Sequence, residues 1–456
     1  MKELRQYQIE DINFLKTKAS GACFNEQRTG KTPIALKTME AKQCTKILIV
    51  APNSCVLPWK DEYTEWLNKP CIACIGTREK QHKLIKAWTN GLVVSYDSIK
   101  ATKKTPGLLQ EILKEKPEAV IIDEAHKIKN PKSDVAKTIF KLSKIKHKLA
   151  LTGTPAPNRG HEIWSILHFL FPKIFSSFWK FIDEYFKTEE CYIHRNGQQN
   201  TYKRISDYKS KEKESELQYI LTRFTTQRKR KELAQWNKDK QYLRIHLEPS
   251  TSQKECLGYL KQYYEIPNTD IICKSDLDRL IRYRQICTTP KLLGVNGEST
   301  KLEWMKSYLE DNDDIKALIF TKFKKAIPLI RDMIPPKYQV NTLCGEDSAF
   351  NREQKRKTFQ NKELKQAVMI AQIDVCKEGL TFDDADVSIF IDKYPPVNDI
   401  LQAEDRIIAT TADNTKEHTI IELVLKNTYD EDLYRLLEEH KEEVDILNNF
   451  KEYIHN

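Results

Sequence analysis

The sequence predicts an α/β protein built from two parallel-sheet lobes with a mostly helical insertion between them. Short, continuously apolar runs alternate with amphipathic stretches in residues 1–170, and the same alternation returns in residues 298–440. Between these parts the chain is rich in aromatic residues and lysine, and its apolar residues recur at helical spacing. Continuously apolar strands are typical of parallel sheets that helices cover on both faces.

Residues 1–170, the first predicted lobe, contain four apolar runs that each end in polar or turn-forming residues. In open parallel sheets, ligands bind at the carboxyl ends of the strands. The polar residues therefore fall where a binding site is expected. The predicted strands are Lys46–Ala51, Leu92–Tyr96, Ala119–Asp123 and Lys148–Thr152.

Residues 298–440, the second predicted lobe, repeat this pattern. The predicted strands are Ala317–Phe320, Gln366–Ala371, Val387–Asp392 and Thr419–Val424. The insertion and linker, residues 171–297, combine helical spacing in Leu217–Phe224 with a turn-rich interruption at Arg195–Asn200. Residues 441–456 are predicted to form a C-terminal helix.

The composition is that of a globular protein with a basic surface. Hydrophobic residues make up 40% of the 456 residues, which suffices for sizeable cores. No stretch approaches the roughly 20 apolar residues that span a bilayer, and the charged N-terminus lacks the apolar segment of a signal peptide. We therefore expect a cytoplasmic protein without a membrane partner.

The charge balance favours a polyanion partner. Lys and Arg number 75 against 65 Asp and Glu, which gives a net charge of +10. Solvated helix faces are the alternative interpretation of such basic runs. The local clusters lie at residues 127–132, 223–231, 279–284 and 322–325.

The eleven cysteines follow no framework spacing. Cys71 and Cys74 form a lone CxxC motif, but a zinc site needs two further ligands, and none stands nearby in the sequence. Reduced cysteines packed in the cores are the favoured interpretation.

The first chemical motif is the segment Arg28-Thr29-Gly30-Lys31-Thr32, which precedes a predicted helix. Backbone N–H groups at such a helix start cradle phosphates, Lys31 neutralises their oxygens, and the Thr32 hydroxyl ligates Mg²⁺. The full phosphate-loop pattern has a further glycine five residues before Gly30, where this chain has Asn25. Taken alone, the tripeptide is also compatible with a chance match in a surface loop.

The second motif, Asp123-Glu124-Ala125-His126, directly follows an apolar strand. An aspartate at a strand end holds Mg²⁺, and the adjacent glutamate polarises the attacking water. A chance match at the end of a buried strand, downstream of a Gly-Lys-Thr, is much less expected than one on a helix surface.

Two further motifs complete the set. Thr152-Gly153-Thr154-Pro155 closes another strand, where small hydroxyl residues can connect the site to moving parts; an ordinary Gly-Pro turn is the alternative. Gln402-Ala403-Glu404-Asp405-Arg406 lies in the second lobe, and an arginine there can reach the γ-phosphate as an arginine finger. A surface helix is the alternative for this motif.

These motifs, in this order, resemble those of superfamily 2 helicases, and the details resemble the Swi/Snf-like branch of DNA translocases. The resemblance covers residues 4–425 and implies two RecA-like lobes with ATP and Mg²⁺ bound in the cleft between them. The matching segments are LRQYQ at 4–8, APNSCVLPW at 51–59, VVSYDSIK at 93–100, DEAHKIKNPKS at 123–133, LTGTPAPN at 151–158, RYRQICTTPKLL at 282–293, ALIFTKF at 317–323, KEGLTFDDAD at 377–386 and QAEDR at 402–406.

The resemblance assigns a role to each matching residue. Lys31, Asp123, Glu124 and Arg406 would be catalytic, and Thr32 and Asp123 would hold the metal. The residues implied for ATP binding are Gln8, Arg28, Thr29, Gly30, Lys31, Thr32, Gly379 and Gln402. The residues implied for coupling are His126, Thr152 and Thr154, and those implied for gripping the nucleic-acid backbone are Asn53, Lys127, Lys322 and Thr381.

Three motifs depart from the family pattern. The first motif usually reads Gly-Leu-Gly-Lys-Thr, whereas this chain has Arg28-Thr29-Gly30-Lys31-Thr32. Pro157 stands where the family usually has glutamine, and Ala409 stands where it usually has a second arginine. The compact size and the last departure resemble versions encoded by large DNA phages, so we expect the cytoplasm of a bacterial or phage-infected cell.

The expected function is an ATP-driven helicase or translocase that remodels forks and junctions in replication, recombination or repair. The insertion at 171–240 is the expected wedge or clamp, and proteins of replication or recombination are the partners that this role implies. We expect a monomer that binds duplex or branched DNA without sequence preference, and no work on chromatin. The alternatives are a double-stranded DNA translocase that separates no strands, a non-hydrolysing DNA clamp suggested by Ala409, an RNA helicase and a restriction-enzyme motor subunit.

Overall fold

The chain folds into two compact units, Met1–Asn237 and Lys238–Asn456. The computed structural model describes residues 3–26, 29–101, 107–156, 160–195, 198–229, 241–376, 382, 384–393, 400, 403–404, 418–439 and 443–455. Each unit is built around one fully parallel β-sheet. The α/β fold class with two parallel-sheet lobes is thereby confirmed.

The sheet of unit 1 has seven strands in the order β3-β4-β2-β5-β6-β1-β9. A two-stranded antiparallel hairpin, β7 with β8, stands apart from this sheet. The strands are β1 (Ser20–Cys23), β2 (Ile47–Ala51), β3 (Cys71–Ala73), β4 (Gly91–Ser95), β5 (Ala119–Ile122), β6 (His147–Leu151), β7 (Phe186–Arg195), β8 (Gln198–Tyr208) and β9 (Thr225–Thr226).

Ten α-helices accompany these strands in the described part of unit 1. They are α1 (Gln6–Lys16), α2 (Lys31–Ala41), α3 (Val56–Leu67), α4 (Arg78–Lys86), α5 (Tyr96–Ile99), α6 (Leu109–Lys114), α7 (Asp134–Phe140), α8 (Trp164–Leu170), α9 (Phe178–Tyr185) and α10 (Lys211–Thr222). Short 3-10 helices occupy Asn53–Cys55, Ala125–Ile128, Lys141–Lys144 and Gly160–Ile163.

The two faces of this sheet belong to two different hydrophobic cores. In β2, Leu48 and Val50 pack into one core, whereas Ile47 and Ile49 pack into the other. Successive side chains of a strand point to opposite faces. A strand buried on both faces must therefore be apolar at every position, which explains why β2, β4, β5 and β6 were recognisable as continuous apolar runs.

The register aligns the carboxyl ends of the central strands. Val50 of β2 lies opposite Ile122 of β5, and Ile122 lies opposite Ala150 of β6. Cys23 of β1 lies opposite Leu151 of β6. The residues that follow these strands are therefore brought to one edge of the sheet.

The sheet of unit 2 has six strands in the order β10-β15-β14-β11-β13-β12. The strands are β10 (Gln241–Leu247), β11 (Lys316–Thr321), β12 (Gln339–Leu343), β13 (Ala367–Gln372), β14 (Val387–Phe390) and β15 (Thr419–Leu425). The described helices are α11 (Thr251–Tyr263), α12 (Asp276–Thr288), α13 (Thr300–Asp311), α14 (Ala326–Arg331), α15 (Ala349–Phe359), α16 (Ile373–Cys376), α17 (Tyr429–Glu438) and α18 (Glu443–His455), with a 3-10 helix at Pro290–Leu293.

The structure divides the segment 171–297, predicted as a separate insertion and linker, between the two units at residue 237. Its helices α9 and α10 pack against the hairpin β7–β8 in unit 1, whereas α11 and α12 lie in unit 2. Two further strands join the main sheets: β9 pairs with β1, and β10 pairs with β15. β9 has only two residues, and the hairpin strands are largely polar. None of them forms the continuous apolar run by which a buried strand is recognised in a sequence.

The end of the chain packs into unit 2. Helix α18 places Phe450 in the core, where its ring lies 5.6 Å from that of Tyr283 on α12.

All eleven cysteines are free thiols. Cys71 and Cys74 are buried, and burial raises the pKa of each to about 12, as the core interpretation requires. None of the helices in the described parts of the chain combines the length and the apolar character that crossing a membrane requires.

Candidate active site

Helix α2 begins directly at the lysine of the first motif. Gly30 precedes it as the N-cap with φ 71° and ψ 47°, the left-handed conformation that favours glycine. Pro33, in the first turn, lacks an N–H group at a position where a helix has no internal acceptor for one. The free N–H groups of this turn and the positive end of the helix dipole make an anion-binding position.

Gln8, on α1, packs against this glycine. Its amide nitrogen lies 3.5 Å from the carbonyl oxygens of Thr29 and Gly30, and a Cβ atom built on Gly30 would come within 2.2 Å of it. The Gln8 amide oxygen accepts from the backbone N–H of Arg5 at 2.9 Å. The structure thus places Gln8 against Gly30, and a contact of Gln8 with ATP stays a prediction.

Lys31 folds over the loop that precedes it. Its ammonium group donates to the carbonyl oxygens of Asn25 and Glu26, each at 3.0 Å. The Thr29 hydroxyl also donates to the carbonyl of Glu26, at 2.8 Å. Two backbone carbonyl groups therefore hold the lysine amine. Lys31 and Thr32 are both partly exposed.

Asp123 follows β5, and both of its carboxylate oxygens accept hydrogen bonds. Trp59 donates its indole N–H to Oδ2 at 2.8 Å, and the backbone N–H of Glu124 donates to Oδ1 at 2.9 Å. Burial and the neighbouring charge of Glu124 raise the pKa of Asp123, and the Trp59 hydrogen bond and the charge of Lys31 oppose that rise. The charge of Lys31 is therefore close enough to act on the Asp123 carboxylate.

Glu124 adopts a left-handed backbone conformation, with φ 48° and ψ 53°. A residue other than glycine in this region carries strain, and such strain is concentrated at functional sites. The hydroxyl of Tyr96 donates to the carbonyl oxygen of the preceding Asp123 at 2.7 Å. The turn is thereby held by Tyr96, which directly follows strand β4.

His126 links the end of β5 to the end of β6. Its Nδ1 lies 3.3 Å from Oε2 of Glu124 and 3.1 Å from the hydroxyl of Thr152. The same hydroxyl accepts from the backbone N–H of Thr154 at 3.1 Å. The three residues predicted to couple the site to other parts are therefore in one hydrogen-bonded group with Glu124.

Asn25 is fully buried, and its side-chain nitrogen donates to Oδ2 of Asp11 at 2.7 Å. Arg228 holds the other carboxylate oxygen of Asp11 through Nε and Nη2, each at 3.0 Å. Sequence reasoning missed Asp11, Arg228 and Trp59 as parts of this site. Trp59 closes the segment APNSCVLPW that matched the family, but no sequence signal connects Asp11 with Arg228.

The residues present fit a magnesium nucleotide. Within the described ranges, no group of three or more His, Cys, Asp and Glu side chains is arranged to hold a metal ion. Mg²⁺ retains several waters and takes one or two carboxylates together with substrate phosphates, so Asp123 and the Thr32 hydroxyl are a suitable donor set. Lys31 and the start of α2 supply the charge and the N–H donors for phosphates.

The predicted DNA-gripping residues of unit 1 lie beside this edge of the sheet. Asn53 is exposed in the short 3-10 helix after β2. Lys127 is partly exposed in the 3-10 helix after Asp123, and its backbone N–H donates to the carbonyl of Glu124 at 2.9 Å. Their contact with DNA stays a prediction.

Lys322, in unit 2, is already paired. Its ammonium group lies 2.8 Å from Oδ1 of Asp374, and its backbone N–H donates to Oδ1 of Asp392 at 2.8 Å. Asp392 is buried and also accepts from the hydroxyl of Thr321 at 2.7 Å. A phosphate contact by Lys322 stays a prediction.

The remaining predicted site residues lie outside the residues that the structure describes. They are Arg28, Gly379, Thr381, Gln402 and Arg406. The two departures Pro157 and Ala409 also lie outside them.

Comparison with known families agrees with the motifs. Residues 8–292 match the SNF2-related domain, and residues 300–409 match the helicase conserved C-terminal domain. The first match alone covers more than half of the 456 residues. The chain belongs to the SNF2-related family.

This SNF2-related protein is similar to several curated proteins. It is 24% identical to the Mus musculus SWI/SNF-related matrix-associated actin-dependent regulator of chromatin subfamily A member 1, over 92% of the chain and 42% of that relative. It is 25% identical to the ISWI chromatin-remodeling complex ATPase ISW1 of Saccharomyces cerevisiae, over 94% of the chain and 39% of that relative. The chain therefore spans about two fifths of the length of these relatives.

A third relative and a solved structure are also similar. The probable ATP-dependent DNA helicase CHR23 of Arabidopsis thaliana is 34% identical over 41% of this chain and 19% of that relative. The structure is the Sulfolobus solfataricus SWI2/SNF2 ATPase core in complex with dsDNA, with a TM-score of 0.44 and 22% identity over 96% of this chain and 91% of that one.

Proposed function

We propose that this SNF2-related protein is a DNA-dependent ATPase that moves along DNA and remodels branched DNA such as forks and junctions. One observation carries the ATPase part of the proposal. Asp123 and Glu124 follow the carboxyl end of β5, Lys31 begins the helix that follows β1 in the same parallel sheet, and the charge of Lys31 opposes the rise in the pKa of Asp123.

The proposed chemistry follows from these side chains. Lys31 and the first turn of α2 bind the phosphates of ATP. Thr32 and Asp123 would hold Mg²⁺, which neutralises charge on the β- and γ-phosphates when it is bound. Glu124 orients the attacking water and accepts its proton.

The coupling of hydrolysis to movement would start at His126. This side chain contacts both Glu124 and the Thr152 hydroxyl, so a change at the carboxylate is passed to the end of β6. Arg406 of the second unit would complete the site when the two units close, and that closure would shift two grips on the DNA backbone.

DNA is the polyanion that the family and the net charge of +10 support. Contacts to phosphates position a protein without reading bases, so we expect tolerance of sequence and a steep loss of binding with salt. The cytoplasm, a monomeric state, and partners from replication or recombination remain parts of this proposal.

The hairpin β7–β8 supports the branched-DNA role. Its base is anchored in the core by Phe186, whose ring lies 4.6 Å from that of Tyr208. On its surface, Lys203 lies 6.0 Å from the ring centroid of Trp179, which is 43% exposed. An exposed ring beside basic side chains is a platform on which an unpaired base can stack.

The test is the rate of ATP hydrolysis measured side by side with single-stranded, duplex, forked and four-way DNA. We expect the highest rate on forked or four-way DNA, and strand separation on a fork. Equal rates on duplex and branched DNA without unwinding would favour a double-stranded DNA translocase. A rate that stays at the background level with all four would instead support the non-hydrolysing clamp.

A further inference from the structure

Asp11 is a buried carboxylate on α1, next to the phosphate-binding loop. Only 1% of its surface is exposed, and burial raises its pKa. Both of its oxygens are nevertheless held: Asn25 donates to Oδ2 at 2.7 Å, and two nitrogens of Arg228 donate to Oδ1 at 3.0 Å. A charge in such a place is tolerated only when it is paired and hydrogen-bonded.

These contacts continue to the phosphate-binding lysine. Asn25 receives the Lys31 ammonium group on its backbone carbonyl oxygen at 3.0 Å, while its side chain is bound to Asp11. Arg228 reaches the loop a second time, because its own carbonyl oxygen accepts the backbone N–H of Glu26 at 3.0 Å. A continuous series of contacts thus runs from Arg228 through Asp11 and Asn25 to Lys31.

The identity of Asn25 explains why this series exists. The usual phosphate-loop pattern has glycine here, which brings no polar side chain into the protein. Asn25 places an amide in a position with 0% exposure, and a buried polar group must find a hydrogen-bond partner. Asp11 is that partner for the Asn25 side-chain nitrogen, whereas Asn25 Oδ1 has no hydrogen-bond partner among the described residues. Arg228 supplies the charge that pairs with the buried Asp11.

We propose that Asp11 and Arg228 are positioning residues of the nucleotide site, which hold Asn25 and thereby fix the loop that places the Lys31 amine for phosphate binding. This inference rests on the proposed ATPase function. Arg228 belongs to the basic cluster 223–231, for which the sequence favours a polyanion partner. In the structure its guanidinium group instead binds the carboxylates of Asp11 and Glu10.

The first experiment measures the Kd of N-methylanthraniloyl-ADP for the full chain by fluorescence titration. Arg228→Met removes the guanidinium group, and Arg223→Met is the matched control. Arg223 is exposed on the same unit and lies 5.9 Å from the ring of Tyr219. We expect Kd to rise about tenfold in Arg228→Met, within the range of typical coupling between sites, and to stay unchanged in Arg223→Met.

Two reference measurements separate the possible failures. If the wild-type chain binds the labelled ADP no better than Lys31→Ala, the proposed function fails. If the wild type binds and folded Arg228→Met binds equally well, only the positioning role fails. As a second readout, the dependence of duplex DNA binding on salt should have the same slope in Arg228→Met as in wild type, whereas loss of a phosphate contact would reduce that slope by about one.

A second variant covers the case in which Arg228→Met does not fold. The double variant Asp11→Asn with Arg228→Met leaves no unpaired buried charge, so it should fold while still binding labelled ADP more weakly than wild type. Asn25→Ala, Arg228→Met and the combination of the two form a double-mutant cycle. Less than additive effects on Kd are expected if Arg228 acts through Asn25, and full additivity or wild-type affinity in the folded double variant would overturn the proposal.

Discussion

Trp59 is a single hydrogen-bond donor that orients the proposed metal-binding carboxylate of Asp123. Its indole N–H is bound to Oδ2 of Asp123 at 2.8 Å, and Trp59 itself is almost completely buried. Groups that orient a metal-binding side chain typically change metal affinity by about 10–100-fold when they are removed. Trp59 therefore belongs to the chemistry of the site as well as to the core.

We predict that Trp59→Phe raises the Mg²⁺ concentration for half-maximal ATPase activity about tenfold, because Phe keeps the ring and removes the donor. Trp66→Phe on the same helix is the control, since Trp66 donates to Glu62 at 3.1 Å, away from Asp123. A magnesium titration measures both variants. An unchanged titration in Trp59→Phe would show that the hydrogen bond only stabilises the fold.

Lys31→Ala should abolish nucleotide binding, because it removes the ammonium group that neutralises the phosphate oxygens. DNA binding at low salt should be retained. Lys37→Ala is the control, since Lys37 lies on the same helix and pairs with Glu40 at 2.9 Å. Calorimetric titration with ATP, followed by a gel-shift assay, gives both results; retained ATP affinity in Lys31→Ala would contradict the assignment.

Glu124→Gln should lower turnover by at least about a hundredfold while ATP still binds, because the amide cannot accept the proton of water. Single-turnover hydrolysis measured together with ATP affinity distinguishes the two effects. Normal turnover would remove Glu124 from its proposed role.

Strands β10, β14 and β15 of unit 2 are joined by a buried group of charges. Lys393 pairs with Glu404 at 2.6 Å and also with Glu422, and Arg244 of β10 lies 2.6 Å from Glu422. Glu404 lies two positions before Arg406 in the sequence and also accepts the hydroxyl of Tyr242 at 2.6 Å. Glu404 is thereby attached to Tyr242 on β10 and to Lys393, which follows β14.

We predict that Lys393→Met destabilises unit 2 by about 3–5 kcal/mol, because it leaves two buried carboxylates without their common partner. Lys426→Met should cost less than about 1 kcal/mol, since Lys426 and Glu248, which lie 3.5 Å apart, form an exposed pair. Chemical denaturation followed by circular dichroism compares the two. Equal stability of both variants would show that the buried charges are not needed for folding.

The proposed motor requires both units of the molecule. Arg406→Ala should reduce turnover by about 10³-fold if Arg406 is the sole arginine finger, while nucleotide binding to unit 1 is retained. Ala409 makes this a sharp test, because the usual second arginine is absent from the sequence. ATPase rates at saturating DNA measure the effect, and a loss of only about tenfold would indicate that another arginine supplies the charge.

The central strands and the motif residues were predictable because their signals are local. A strand buried on both faces is apolar throughout, as β2 and β5 are, and β11 and β13 are apolar between their terminal residues. The same reasoning missed the short strand β1 and the partly exposed β10, because each pairs with a strand that is distant in the sequence. It missed the hairpin β7–β8 because those strands are largely polar.

By itself, the sequence determined the two α/β lobes and the identities of the residues at the carboxyl ends of their strands. Only the tertiary structure decided how those residues are held. Asp11 and Arg228 are 217 positions apart, and Trp59 and Asp123 are 64 apart. Local patterns of polarity fix which face of an element is buried, but hydrogen bonds between distant side chains depend on strand order and register, which such patterns do not specify.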